Sequence, residues 1–152
     1  MLIFKITFSV SGDDFFPNKI ISLLSKKLDI IDFFSPTDNI GQKKDSKFGY
    51  GLLSFMHPKI FGHLGDGLEY EDEFIKFYEI NFNLFKKYGA EDFVFFIEVY
   101  YSGDQCNFEV FNKSMLLRLT KGIGKISIPI SVYHLEQKEI EKLLISNSTN
   151  NG

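Results

Sequence analysis

The sequence contains no tryptophan and a single cysteine, Cys106, among its 152 residues. One cysteine cannot close an internal disulfide, which excludes a stapled secreted scaffold and favours a reducing compartment. Positive charge is short as well. The formal net charge is −3, so the clustered lysine and arginine of a general nucleic-acid surface are missing. No apolar run approaches the ~20 residues that a membrane-spanning helix needs. The apolar start is broken by Lys5, Thr7 and Ser9 and followed by Asp13 and Asp14. That is not the basic start, apolar block and small-residue cleavage site of a signal peptide. These absences predict a cytoplasmic protein that binds neither nucleic acid nor membrane. No repeat or linker interrupts the chain, so residues 1–145 are expected to form one domain, with 146–152 as a disordered polar tail.

What the chain has in quantity is phenylalanine: 18 Phe and 7 Tyr make the aromatic fraction 16%, within a hydrophobic total of 44%. That is enough to build a real core. Residues 93–101 are its natural keel. Phe93, Phe95, Ile97, Val99 and Tyr101 line one face, and Val94, Phe96, Glu98 and Tyr100 the other. Only Glu98 is charged, which predicts a central strand covered on each side. Leu2, Phe4, Ile6, Phe8 and Val10 alternate with more polar residues as a second strand.

Between these, Pro17 is placed to open a helix bearing Ile20, Ile21, Leu23, Leu24 and Leu28, with Lys26 and Lys27 in its last turn. Residues 29–34 read either as a short strand or as an apolar connection, and 36–47 as a polar loop. Residues 48–56 read as a strand in which Gly49 and Gly51 predict a bulge or a close backbone approach. Residues 57–67 form an irregular loop.

The strongest helix is expected at about 70–88. Phe74, Phe77, Tyr78, Phe82, Phe85 and Tyr88 fall near one face, acids lie at its start, Lys86 and Lys87 at its end, and Gly89 caps it. After the keel, 106–111 is expected to pair back as a hairpin. Asn112 or Ser114 then caps a short helix carrying Met115, Leu116 and Leu119. Ile126, Ile128, Ile130 and Val132 form a last strand that Pro129 confines to an edge or bulge. A terminal helix is expected at 135–145. The fold class is therefore α+β, a mostly antiparallel twisted sheet with helices mainly on one face.

The run from Thr7 through Ser11, Gly12, Phe15 and Pro17 to Ile20 resembles the opening of a bacterial domain-of-unknown-function family, in which T-F-x-I-S-G-x-x-F-x-P-x-x-I makes a strand, a turn and a Pro-started helix. Gly41, Lys43, Lys44 and the stretch from Gly49 to Ser54 are similar to a later segment of that family, which has Trp after the first of those glycines. Leu116, Leu119, Gly122 and Tyr133 match its closing unit, although Ser127, Pro129 and Ser131 stand where acids are common. The resemblance implies this fold and carries no catalytic set. In style the chain also resembles immunity proteins of polymorphic or contact-dependent toxin systems. That likeness implies a non-enzymatic protein that binds a cognate toxin domain, one to one.

The densest charge is Asp66, Glu69, Glu71, Asp72 and Glu73, with Tyr70 among them. It reads as a solvated helix start favoured by the dipole, or as a docking patch that plugs a basic toxin site. His57, His63 and Asp66 lack the tight spacing of a zinc site, and the remaining histidine is His134. Cys106 has no motif to activate it, unless folding brings His134 to it. Gly122 and Gly124 follow a helix rather than open one, the reverse of a phosphate cradle, and Gly65 and Gly67 resemble one only faintly. Lys43, Lys44 and Lys47 are too sparse for a nucleic-acid footprint. No catalytic, cofactor or metal residue is predicted. The alternative to a partner-binding protein is a regulatory module with a small-molecule pocket between sheet and helices.

Overall fold

The computed structural model describes residues 1–42, 45–64, 67–104, 106–122 and 124–148. Within them the chain forms β1 (Leu2–Gly12), two 3-10 turns (Pro17–Lys19 and Ile21–Leu23), β2 (Asp29–Phe34), β3 (Gly51–Met56), β4 (Gly62–His63), α1 (Glu69–Lys87), β5 (Asp92–Tyr101), α2 (Lys113–Leu119), β6 (Lys125–Ser127), β7 (Ile130–His134) and α3 (Gln137–Ser148). The strands make one open, mostly antiparallel sheet in the order β2-β3-β1-β5-β6, with β4 beside β1 and β7 beside β5. This is the expected α+β domain.

The keel is central, but it is fully buried on one face alone. Phe93, Phe95, Ile97 and Val99 are buried, while Val94, Phe96, Glu98 and Tyr100 stay half-buried. The reason is where the helices lie. α1 and α2 bring Phe74, Phe77, Tyr78, Phe85, Met115 and Leu119 onto the face of Phe4, Ile6, Phe8 and Val10. α3 covers only one end of the other face, packing Ile140 on Ile3 and Phe61. Glu98 lies on that less covered face, paired with Lys5 directly opposite on β1.

The helix expected after Pro17 is replaced by the two 3-10 turns. They meet at Ile20, whose φ of −122° is not helical, and Leu24 leaves with an extended ψ of 151°. Ile20, Leu24 and Leu28 are still buried, so core packing overrides a helix too short to be stable alone. The strand expected at 48–56 starts only at Gly51. A Cβ there would sit 1.7 Å from the Phe15 carbonyl oxygen, the close backbone approach that the glycine permits.

The hairpin expected at 106–111 does not form, because β1 and the pair β6/β7 already occupy both edges of β5. Val110 and Phe111 enter the core instead. The last strand is divided at Ile128 and Pro129, yet its register on β5 is continuous: Asp92 faces Lys125 and Ile97 faces Ile130. Pro129 cannot donate, but its carbonyl accepts from Ile97 N–H at 2.9 Å. The expected tail begins inside α3, which runs to Ser148; residues 149–152 lie outside the described residues.

Candidate functional site

A helix turns about 100° per residue, so consecutive acids at its start cannot share one surface. In α1 they diverge. Asp66 lies outside the described residues, and Glu69 is exposed. Tyr70 points inward, accepting from Ile6 N–H at 3.2 Å and donating to the Ile60 carbonyl at 2.8 Å. Ile6 falls in a gap of the β1 ladder, after β4 pairs with Ile3 and Phe4 and before β3 pairs from Thr7. The phenol thus stands in for a missing strand, and burial raises its pKa. Glu71 is buried with its Oε2 lacking a hydrogen-bond partner. Burial holds its carboxyl above the usual range, against the weaker pull of its own backbone N–H and the Lys59 charge.

Asp72 and Glu73 reach neighbouring segments. Lys76 bonds Asp72 Oδ2 at 2.7 Å, and Arg118 of α2 bonds both Asp72 and Glu79, the latter through Nε at 2.9 Å and Nη2 at 2.6 Å. The Lys76 and Arg118 hydrogen bonds hold Asp72 below the usual carboxylate range, and Arg118 does the same to Glu79. Glu73 bonds His57 Nε2 at 2.6 Å. Lys59 sets both its N–H, at 2.9 Å, and its carbonyl, at 3.1 Å, against His57 Nδ1. Of the expected patch, Tyr70 and Glu71 are thus buried, Asp72 and Glu73 are half-exposed and tied to neighbouring segments, and Glu69 faces solvent.

The remaining candidates are dispersed. His63 is in β4, His134 packs on Tyr101 with ring centroids 4.9 Å apart, and Cys106 packs at the rim of the core. Among the described residues no group of His, Cys, Asp and Glu is disposed to hold a metal ion. Gly122 packs its backbone against Tyr78 and Phe82. Lys43, Lys44, Gly65 and Ile123 lie outside the described residues. The space between sheet and α1 is filled by stacked and edge-on rings, with Phe8 4.6 Å from Phe95 and 6.2 Å from each of Phe77, Tyr78 and Phe85.

Two open apolar edges lie elsewhere: β7, paired among the described residues to β5 alone with Ile130, Val132 and Tyr133 exposed, and β2. At β2 the apolar residues are joined by acids that form no ion pair among the described residues. This strand is outermost in the sheet and is paired on one side, to β3. Among the described residues no strand pairs with its far side, which leaves backbone N–H and C=O groups open there. Ile30, Ile31 and Phe33 are 38%, 47% and 48% exposed, an unusual concentration of large apolar groups for an open edge. Phe34 closes the strand by stacking on Phe48 at 3.8 Å and meeting Tyr50 edge-on at 5.2 Å. A cleft of about 250 Å³, lined by Ile21, Leu24, Leu28, Ile30 and Phe55 among others, opens beside it. The sequence signal for this site is the apolar pairs in DIIDFF, flanked by acids, but it does not say which edge of the sheet they occupy.

No family model matches the chain, and neither a curated protein nor a solved structure matches it. Among the described residues no helix is long and apolar enough to cross a membrane.

Proposed function

We propose that this domain works by binding another protein, and that, in keeping with its likeness to immunity proteins, it neutralises a bacterial toxin domain in the cytoplasm by covering it in a 1:1 complex. The observation that carries the binding reading is the apolar edge strand β2, whose Ile30, Ile31 and Phe33 stay exposed. Protein surfaces of this kind are commonly completed by a partner. The supporting context is that Tyr70, His57 and Arg118 are committed to internal hydrogen bonds. A small-molecule pocket between sheet and helices is less favoured, because aromatic rings occupy that space.

The test is growth of cells induced for the C-terminal domain encoded by the upstream neighbouring gene, with and without this protein. Rescue together with co-purification of a 1:1 complex is expected. Toxicity unchanged by the protein, with no complex recovered, removes the immunity reading.

A further inference from the structure

We propose that β2 receives an added strand from a partner segment in which basic and apolar residues alternate. This rests on the protein-binding reading above and names the chemistry of the partner. The register of β2 on β3 supplies the argument. Asp29 faces Met56, Asp32 faces Ser54 and Phe34 faces Leu52, while Ile30 faces Phe55 and Phe33 faces Leu53. Asp29 and Asp32 are three apart in sequence and would lie on opposite faces of a regular strand. The irregularity between Ile30 and Asp32 takes up the extra residue Ile31. Both carboxylates therefore arrive on the same face, the one away from α1, a single pleat apart.

Both aspartates are exposed, and neither makes an ion pair among the described residues. Lys26, at the rim of the cleft, is exposed and bridges neither of them. On the other face Ile30 and Phe33 are exposed, and Ile30 lines the cleft of about 250 Å³, which Asp29 also borders at its end. A strand laid along β2 thus meets acid on one face and apolar surface on the other. Residues on a strand alternate between faces, so the complementary segment carries lysine or arginine at every second position and apolar side chains between.

A second copy of this chain is the poorer occupant. Antiparallel self-pairing would gather Asp29 and Asp32 of both chains on one face, where like charges across strands are unfavourable. A bulged, acidic edge is also the device that keeps sheets from pairing with themselves. The same features discriminate in favour of a basic strand.

The whole chain, labelled with nitrogen-15, is titrated with an eight-residue peptide of alternating lysine and valine and with its glutamate and valine counterpart. The lysine peptide is expected to shift the amides of Asp29–Phe34 and slow their exchange, and to bind at least tenfold more tightly than the glutamate peptide. The Asp29→Lys/Asp32→Lys variant, altered only at exposed positions and checked for an unchanged amide spectrum elsewhere, is expected to reverse that preference. Absence of binding, shifts confined to the start of α1, equal affinity for the two peptides, or self-association through β2 would each overturn the proposal. Toxin rescue without peptide binding at β2 would leave the protein-binding reading standing and remove the strand. Peptide binding without rescue would remove the toxin and keep the strand.

Discussion

Tyr70 and Glu71 are neighbours in sequence with opposite energetics. The Tyr70 hydroxyl satisfies two backbone groups left open by the sheet, Ile6 N–H and the Ile60 carbonyl. Tyr70→Phe strands both, and the expected cost is about 2 kcal/mol, the penalty for buried backbone groups without partners. Urea denaturation gives the loss, and faster exchange of the Ile6 amide locates it. Glu71 is a buried carboxylate whose pKa is raised above its ordinary value of 4.5. A raised carboxyl favours the neutral form in the folded state. Its ionisation therefore costs nothing below 4.5 and destabilises the fold progressively as pH climbs through the raised value. Glu71→Gln removes that charge. The variant is expected to match the parent in acid and to exceed it by about 1 kcal/mol near neutrality, measured as denaturation midpoints across pH. An advantage over the parent no larger at neutral pH than in acid would contradict the burial argument.

At the scale of elements, α2 is only seven residues long and cannot hold its shape unaided. Asn112 caps it by accepting from Met115 N–H at 3.0 Å, Met115 and Leu119 anchor it in the core, and Arg118 ties it to α1. Arg118→Met keeps the stem and removes the charge. The expected loss is about 1 kcal/mol, as for a partly exposed ion-pair network, and it shrinks in high salt. Asp72 and Glu79 have pKa values below their ordinary 3.8 and 4.5. Their contribution is therefore complete above those values and fades as the pH falls through the lowered ones. The gap between parent and Arg118→Met should accordingly close in acid, the opposite trend to Glu71→Gln. Thermal melts of both variants over one pH series distinguish the two effects.

At the scale of the whole molecule, one face of the sheet is roofed by α1 and α2, the other only at one end by α3, and the outer strand β2 lies beyond the cover of all three. That asymmetry exposes the edge on which the strand-addition prediction rests. Tyr70 closes a gap in the sheet, His57 ties the segment after β3 to α1, and Arg118 ties α2 to α1. Much of this plan is readable in the chain. α1 is legible to within a residue at each end because a 3.6-residue aromatic stripe, acids at the start, lysines at the end and Gly89, with φ of +94°, all agree. β2 is ambiguous in sequence because its bulge spoils the two-residue period. The acidic start reads as one patch because charge density along a sequence carries no direction around a helix.

The sequence by itself determined the α+β class and the places of β1, α1 and β5, and it confined the segment around Pro129 to an edge or a bulge. Each rests on local periodicity, dipole and backbone rules acting within a few residues. Tertiary structure alone decided which acids became struts, which strands paired in parallel and which strands came to lie at the two edges. Those outcomes depend on partners far away in the chain: Ile6 with Tyr70, Asp72 with Arg118, and Asp32 placed by Ser54. No local rule reaches that far, because the free energy that selects them comes from packing the whole sheet at once.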